Sequence, residues 1–385
     1  MVAESLKFSV GQLGPLGTWY RGHQRVLPWR SEPTPYRVWI SEIMLQQTQV
    51  KTVLPFFERF MERFPSVNDL ARAPVYEVLS RWSGLGYYHR ARRLHETAKQ
   101  IVAKGAFPET RDGWLELPGV GPYTAGAILS IAFGKPEPLV DGNVERVFSR
   151  WYGWKEVDKK RLWERATVLV SAASRGKLSP RDWNQALMEL GALICLPKKP
   201  LCTVCPVRTH CEAFRSGAPE SFPQPTAQRK AVRLIEPRTL VWNGSKLLVV
   251  RKTGRKTGRK TGRAWREGLW DFPETERLSL KSDASVTRGP QFLHAVTHHR
   301  ITRKYSMVQK KDIRWTQAAA TFKDRFWIDT DLAKREGSTS DLPLGAPVLR
   351  VLRWFAAVRS ADQTKNRVGG VPFLRSRGAS PRREP

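Results

Sequence analysis

Apolar residues recur at helical spacing between Val38 and Phe64, near the start of the chain. Successive apolar positions fall three or four residues apart, which places them on one face of a helix. Pro55 lacks the amide hydrogen that a helix interior uses, so we predict that it divides this stretch into two helices. The apolar positions are Trp39, Ile40, Ile43, Met44, Val53, Leu54, Phe57, Phe60, Met61 and Phe64.

The same periodicity continues to about residue 215, so residues 18–215 are predicted to be almost entirely helical. Proline or glycine stands at most of the joints between the helical stretches, as expected where helices begin and end. The further predicted helices are 67–73, 75–79, 88–104, 110–115, 123–133, 143–151, 160–173 and 181–195.

The composition changes at Ser216, and a different architecture is predicted after it. Residues 216–230 hold three prolines with little periodicity, which is typical of a linker between domains. Short β-branched runs then predict strands, which indicates a smaller mixed α/β domain ending near Arg359. The tail, 360–385, is polar and basic and is predicted to be disordered. The predicted strands are 238–242, 246–250, 303–308 and 325–329.

Residues 251–263 read RKTGRKTGRKTGR, a tetrapeptide repeated three times with seven positive charges. A run so polar and so rich in glycine cannot bury a core, so we predict a flexible loop between strands. Two interpretations are open: the repeat contacts phosphates, or it is a neutral expansion of the loop.

The charge of the chain favours a polyanionic partner. Lys and Arg number 66 against 35 Asp and Glu, for a net charge of +31. Basic residues occur throughout the chain and not only in its tails, which favours nucleic-acid binding over a merely basic surface. No run of about 18 apolar residues and no secretory signal pattern is present, so we expect a cytoplasmic protein that does not enter a membrane.

All four cysteines lie within one short segment, as Cys195-x6-Cys202-x2-Cys205-x5-Cys211. In a reducing compartment, cysteines packed so closely are expected to bind metal rather than to form disulfides. Zinc modules usually pair two short Cys-x2–4-Cys units, and only one such pair exists here. The spacing therefore favours an iron–sulfur cluster, with zinc as the alternative.

Residues 117–126 read LPGVGPYTAG between two predicted helices. Gly119 and Gly121 make a tight hairpin whose backbone amides face outward at the start of the next helix, which is a site for a phosphate. The alternative is an ordinary turn between helices. About twenty residues later, Asp141 stands just before a helix, where it is either the N-cap or a catalytic carboxylate; taken alone, the cap is the better interpretation.

The LPGVG hairpin, the Asp twenty residues later and the four-cysteine spacing together resemble the endonuclease III and MutY superfamily of DNA glycosylases. The resemblance has strong motifs over residues 18–215 and weaker ones over 231–358. It implies a mainly α N-terminal part and a C-terminal α+β Nudix-like domain. It also implies a 4Fe–4S cluster held by Cys195, Cys202, Cys205 and Cys211, with Lys198, Lys199 and Arg208 near phosphates.

Three features resemble the MutY branch of that superfamily. Residues 41–50, SEIMLQQTQV, place Glu42 on an otherwise apolar stretch, where a carboxylate is either paired or held protonated by burial. Tyr123 stands where bifunctional relatives have a lysine, so no Schiff base forms there. Residues 268–273, GLWDFP, match a GLWEFP segment of the extra C-terminal domain of that branch.

The resemblance implies five regions in the chain. An iron–sulfur cluster domain is formed by residues 1–29 and 136–215, and a six-helix domain with the helix–hairpin–helix by 30–135. A linker, 216–230, leads to a Nudix-like lesion-recognition domain, 231–359, and a basic tail, 360–385. No Nudix box of magnesium-binding acids is present, so the last domain is expected to read a damaged base and not to hydrolyse nucleotides.

The implied activity is monofunctional excision of adenine from A:8-oxoguanine or A:G mispairs in double-stranded DNA by a monomeric enzyme. Glu42 would protonate adenine and Asp141 would stabilise the oxocarbenium ion, as two carboxylates do in a retaining glycosidase. The remaining implied site residues are Tyr123 and Asn143 for orientation; Leu27, Trp29, Arg30 and Gln185 for the adenine pocket; Gln46 and Tyr87 as wedge residues; Thr297 and His298 for the opposing base; and Gly119 and Gly121 for phosphate.

Val296 departs from the family pattern, which has Phe before the Thr-His pair. The loss of this aromatic residue predicts weaker discrimination between damaged and normal guanine. Three rival interpretations are kept: a thymine- or oxidised-pyrimidine-specific relative, a non-catalytic iron–sulfur DNA-binding protein, and a zinc-binding regulator.

Overall fold

The computed structural model describes residues 13–176, 178–225, 231–251, 269–296, 299–315, 324–330 and 342–366. These residues form two compact units. The first is built from described residues up to 78 and from 87 to 225, and the second from residues 79–86 and those after 230.

The first unit is helical, as the apolar periodicity predicts. Short 3-10 turns replace helices around the cysteines and after them, at Cys202–Val204, Arg208–His210 and Pro219–Ser221. The α-helices up to residue 225 are α1 (Leu13–His23), α2 (Pro28–Ser31), α3 (Pro35–Leu45), α4 (Val50–Arg63), α5 (Val67–Arg72), α6 (Val75–Arg81), α7 (His89–Lys104), α8 (Arg111–Leu115), α9 (Pro122–Ile131), α10 (Gly142–Tyr152), α11 (Lys159–Arg175), α12 (Pro180–Leu193) and α13 (Glu212–Arg215).

Helix α3 lies in the core of this unit. Thr34 caps its start by accepting a hydrogen bond from the Arg37 amide, and Pro35 occupies the first turn, where no amide donor is required. From Val38 to Met44 every side chain of α3 is buried. A polar residue on this helix is therefore removed from water whichever way it points.

The prediction that Pro55 separates two helices is wrong. The break falls at residues 46–49, and Pro55 lies inside the continuous helix α4. Only the hydrogen bond of the missing Pro55 amide is lost, while Val53, Phe57 and Phe60 of the same helix are buried. Burial of this apolar face outweighs the loss of one backbone bond.

Close packing at Gly126 fixes the segment that leads to Asp141. A Cβ atom at Gly126 would lie 2.0 Å from the Pro138 carbonyl oxygen, so only glycine allows the backbone of 138 to approach α9 this closely. Three residues later the chain reaches Asp141 at the start of α10. The hairpin helix α9 and Asp141 are thereby held in one place by a backbone contact.

The second unit contains a mixed sheet. Its strands are β1 (Val232–Asn243), β2 (Lys246–Arg251), β3 (Trp270–Asp271), β4 (Thr287–Val296), β5 (His299–Gln309) and β6 (Arg325–Asp329). The order is β3-β2-β1-β5-β4, with β6 also paired to β2. Strands β1 and β5 are parallel, with Val232 opposite His299, and the other pairs are antiparallel.

Helix α14 (Ala346–Asn366) covers one face of this sheet. Val348, Val351, Leu352 and Phe355 pack on Leu240, Leu247 and Ile328. The helix continues seven residues beyond the predicted domain end at 359, so predicted disorder from residue 360 is wrong as far as Asn366. A mainly helical first part and a later sheet with a helix agree with the predicted fold class at this coarse level.

The predicted linker is partly anchored. Within residues 216–225, the Phe222 carbonyl accepts a hydrogen bond from Arg150, and the Gln224 amide donates to the Lys155 carbonyl. Residues 226–230 and all of the RKTG repeat except Arg251 lie outside the described residues. Among the described residues, no helix combines the length and the hydropathy needed to cross a membrane.

Candidate active site

Glu42 is a buried carboxyl group in the middle of α3. Glu42 is 3% exposed, and its Oε2 accepts a hydrogen bond from the Tyr123 hydroxyl at 2.7 Å. Burial raises the pKa of Glu42 to about 7, although the Tyr123 hydrogen bond acts to lower it. The negative charge of Asp141 also raises this pKa, and Arg30 lowers it. Glu42 is therefore poised to give or take a proton near neutral pH.

Tyr123 is the second residue of α9, directly after the hairpin. Burial, followed by the charges of Glu42 and Asp141, raises its pKa well above that of a free tyrosine. The hydroxyl therefore keeps its proton and donates to Glu42. The resemblance implied an orienting role for Tyr123, and its hydroxyl is in direct contact with Glu42.

Asp141 is the N-cap of α10. Its Oδ1 accepts from the Val144 amide at 2.7 Å, and its Oδ2 accepts from Asn143 Nδ2 at 3.0 Å. The cap interpretation is thus confirmed by the geometry. The side chain is only partly buried, and it is close enough to Glu42 for its charge to raise the pKa of that residue. One carboxylate therefore both caps the helix and faces the buried acid.

Asn143 is held in turn by Arg146, one turn further along α10. Arg146 Nη2 donates to Asn143 Oδ1 at 2.8 Å and to the Gly191 carbonyl at 2.7 Å. Arg146 Nε donates to the Cys195 carbonyl at 2.8 Å. A continuous set of hydrogen bonds therefore runs from the backbone at the first cysteine to Asp141.

The four residues expected to form an adenine pocket are all at least half-buried. Leu27 precedes α2 and is 4% exposed, and Trp29 packs edge-on against Phe57 with ring centroids 5.0 Å apart. Gln185 is buried on α12. Arg30 donates a hydrogen bond to Glu189, one helical turn after Gln185, and this bond links α2 to α12.

Glu189 and Arg25 belong to the same site, although neither was identified from the sequence. The Glu189 side chain is fully buried, and Arg25 donates to it through Nε and Nη2, each at 2.7 Å. Arg30 Nη2 adds a contact at 3.0 Å. Burial alone would raise the pKa of Glu189, but the two guanidinium groups outweigh it and lower the pKa to about 2. Glu189 is a lone acid in the apolar stretch ALMEL, the same signal that identified Glu42.

Gln46 and Tyr87, the expected wedge residues, both lie in turns of strained backbone. Gln46 ends α3, and the next residue, Gln47, has φ of 58°. Tyr87 itself has φ of 49° and follows Gly86, whose φ is 80°. Positive φ is uncommon for residues other than glycine and marks turns whose conformation is imposed by their surroundings. Thr297 and His298, expected at the opposing base, lie outside the described residues.

The hairpin between α8 and α9 has the expected tight geometry. Gly119 has φ of 83°, a conformation that favours glycine, and Gly121 immediately precedes α9. The Thr97 hydroxyl of α7 donates to the Pro118 carbonyl at 2.8 Å and anchors the hairpin. The amides at the start of α9 suit an anion.

The four cysteines border one cavity, which Arg150 also lines. Arg150 Nη1 donates to Cys195 Sγ at 3.3 Å and to the Leu196 carbonyl at 2.7 Å, so a cation supports the cysteine segment from α10. In the described part of the chain, no group of three or more Cys, His, Asp or Glu side chains is arranged to hold a metal ion. The thiols share a cavity without forming a site for a single ion.

The chain is similar to one protein family, to curated relatives and to a solved structure. Residues 40–171 match the model of the HhH-GPD superfamily base excision DNA repair proteins. An adenine DNA glycosylase of Buchnera aphidicola is 43% identical over 202 residues, which cover 51% of this chain and 56% of that protein. The adenine DNA glycosylase of Arabidopsis thaliana is 31% identical, over 88% of this chain and 59% of that protein.

The solved structure of a thermostable thymine-DNA glycosylase is similar to the helical part, with a TM-score of 0.51 and 32% identity. The match covers 55% of this chain and 98% of that structure. By contrast, the chain spans little more than half the length of the two curated relatives.

The raised pKa of Glu42 predicts a pH-dependent gain in stability for Glu42→Gln. An acid whose pKa is higher in the folded than in the unfolded chain favours folding at low pH, and this contribution is lost as pH rises from 4.5 through about 7. The variant should therefore gain about 2 kcal/mol more over the wild type near pH 8 than near pH 5. Urea unfolding followed by circular dichroism measures this difference.

The matched control is Glu96→Gln, which removes a carboxylate from the exposed face of α7. A stability gain for Glu42→Gln that is the same at both pH values would contradict the raised pKa.

Proposed function

The chain belongs to the HhH-GPD superfamily of base excision DNA repair proteins, and on this basis we propose that it is a monofunctional adenine DNA glycosylase. Its substrate would be adenine opposite 8-oxoguanine or guanine in double-stranded DNA, and it would act as a monomer. The observation that carries the proposal is the buried Glu42 carboxyl, bonded to Tyr123 and facing Asp141. The two curated relatives reported above are adenine DNA glycosylases.

The first step is extrusion of the adenine nucleotide, because its glycosidic bond is inaccessible inside a duplex. Gln46 and Tyr87 would enter the stack and hold the opposing strand. The amides at Gly119 and Gly121 would bind a phosphate next to the extruded nucleotide. The adenine would enter the pocket of Leu27, Trp29, Arg30 and Gln185, in which the Glu189 carboxylate holds Arg30 in place.

Bond cleavage requires a proton on the leaving base. Adenine leaves poorly as an anion, and a carboxyl group with a pKa of about 7 holds a proton in a large fraction of molecules at neutral pH. Glu42 would give this proton to N7 as the bond between the sugar and N9 breaks. The bonding electrons pass to the base, which leaves as neutral adenine, and the sugar becomes an oxocarbenium ion.

Asp141 would stabilise this cation, since it is partly exposed and oriented by the Val144 amide and by Asn143. Two carboxyl groups with opposite roles, one a buried proton donor and one hydrogen-bonded beside the developing cation, are the arrangement of a retaining glycosidase. The Glu42 carboxylate left after proton transfer would accept a proton from the incoming water. Tyr123 offers a phenol and no amine at this position, so the reaction ends at hydrolysis.

A 4Fe–4S cluster would be bound by Cys195, Cys202, Cys205 and Cys211. Four thiol donors around a shared cavity suit a polynuclear iron–sulfur cluster, and the segment has one short Cys-x2-Cys pair where zinc modules usually have two. When bound, the cluster would supply structural cross-linking of residues 195–211. Arg146 bonds to the Cys195 carbonyl and to Asn143, so it would hold Asn143 and Asp141 in a fixed position relative to this segment.

The second unit would be Nudix-like and would recognise the base opposite adenine. The residues proposed to contact that base are Thr297 and His298, which come directly after Val296 in the sequence. Because Val296 stands in place of an aromatic residue, one stacking contact with the DNA bases would be lost. The domain limits proposed for the chain are 1–29 with 136–215, 30–135, and 231–359, joined by 216–230.

The two carboxylate variants test the chemistry. Glu42→Gln and Asp141→Asn should each lower single-turnover adenine release by about a hundredfold to ten-thousandfold, because each removes one group that acts only in the transition state. Binding to the duplex should remain. Release would be measured on duplexes with adenine opposite 8-oxoguanine, guanine and thymine, with Glu96→Gln as the control.

Near-normal release by Asp141→Asn would contradict the role of Asp141. Release of thymine or an oxidised pyrimidine in place of adenine would instead favour the chemistry named for the similar solved structure. Equal rates opposite 8-oxoguanine and guanine would mean that the second unit does not discriminate between them.

The cluster proposal predicts brown protein with about four iron atoms per chain after anaerobic purification. Cys202→Ser should lose iron and colour, whereas Thr203→Ser, an exposed neighbour in the same segment, should keep both. Colourless protein that contains stoichiometric zinc would contradict the assignment.

A further inference from the structure

We infer that Arg90 is a positioning residue that holds Gln46 and Tyr87 in the conformation needed to open the DNA stack. The inference rests on the proposed function, because that function gives Gln46 and Tyr87 their task. Arg90 lies in the first turn of α7 and is 4% exposed, so its guanidinium points into the protein and away from DNA phosphates.

The guanidinium binds the end of α3. Arg90 Nη1 donates to the carbonyls of Ile43 at 2.8 Å, Met44 at 3.0 Å and Gln46 at 2.5 Å. The last carbonyls of a helix have no partner within the helix, so a side chain must bind them when they are buried. Arg90 Nη2 reaches the Thr48 hydroxyl at 3.4 Å. One side chain thus fixes both the last turn of α3 and the turn that carries Gln46.

The same guanidinium lies against the ring of Tyr87, at 5.2 Å from the ring centroid. A cation over an aromatic face is attracted to it, and the attraction grows where water is excluded. Tyr87 and Arg90 are also one helical turn apart, and the Arg90 amide donates to the Tyr87 carbonyl at 2.9 Å. The two wedge residues, more than forty positions apart in sequence, therefore share one partner.

Both turns need an external restraint. Gln47 and Tyr87 have φ of 58° and 49°, which residues other than glycine rarely adopt. Such conformations persist where the surroundings over-determine them, and they concentrate at sites of function. Arg90 contacts both turns, and its own burial is costly enough to lower its pKa to about 10. A helix cap alone would not require contact with Tyr87.

The geometry requires arginine and not only positive charge. A guanidinium presents several N–H groups in a plane, so it reaches three carbonyls and a hydroxyl while its face covers the Tyr87 ring. A lysine ammonium could bind the three carbonyls that converge on Nη1, but it could not also reach the Thr48 hydroxyl and cover the Tyr87 ring. Arg90→Lys therefore keeps the charge of the chain and removes the shared restraint.

The test compares two duplexes that differ in whether an opposing base must be held. One has adenine opposite 8-oxoguanine, and the other has adenine opposite a tetrahydrofuran abasic analogue. Arg90→Lys should slow single-turnover adenine release about tenfold or more on the first duplex, because displaced wedge residues misplace the nucleotide. The loss should be much smaller on the second duplex. Lys99→Gln, on the exposed face of the same helix, should change neither rate.

A second comparison separates positioning from general destabilisation. In a Gln46→Ala Tyr87→Ala background the wedge is already absent, so Arg90→Lys should cause no further loss of rate, as expected for residues that act as one unit. The fluorescence of 2-aminopurine placed beside the adenine reports extrusion and should fall in the single variant. Circular dichroism at the assay temperature should show folded protein throughout.

Equal losses on the two duplexes, or a full additional loss in the double-alanine background, would overturn the inference and leave Arg90 a helix cap only. An Arg90→Lys variant as fast as the wild type on both duplexes would also overturn it. Absence of adenine release by the wild type from either duplex is a different result: it overturns the proposed function, and this inference with it.

Discussion

The arrangement of the site depends on the removal of the Glu42 carboxyl group from water. Every neighbour of Glu42 on α3 from Val38 to Met44 is buried, so the carboxyl cannot reach solvent by a change of rotamer. Its pKa rises to about 7 for this reason, and the Tyr123 hydrogen bond keeps the group from being more basic still. Asp141, hydrogen-bonded and partly exposed at the start of α10, has the opposite environment. Two chemically similar groups thereby occupy different environments within one site.

Buried and partly buried arginines connect the elements that meet around this pair. Arg30 ties α2 to Glu189 on α12, Arg146 ties Asn143 to the backbone beside the first cysteine, and Arg90 ties the end of α3 to the start of α7. Each guanidinium offers several donors in a fixed plane, so one side chain restrains two or three backbone segments at once. The arginines of the chain therefore hold its elements together in addition to attracting a polyanion.

Short β-branched runs predicted parts of β1, β2, β5 and β6, and periodicity predicted the helices because those segments bury one regular face. It failed at Pro55, where a buried face outweighs one missing hydrogen bond, and at β4, where a register shift between Arg288 and Gln291 interrupts the alternation. Glu42 was identifiable as a lone acid among apolar residues. Glu189 carries the same signal, but its two arginine partners lie more than 150 residues away, and only the folded chain brings them together.

The pH dependence of single-turnover adenine release tests the central claim most directly, namely that the buried Glu42 is the acid. The account predicts that the wild-type rate is highest below pH 7 and falls as pH rises through about 7, when Glu42 loses its proton. Tyr123→Phe removes a hydrogen bond that lowers this pKa, so its profile should shift to higher pH. A wild-type rate that is constant or that increases through neutral pH would contradict the assignment of Glu42 as the proton donor.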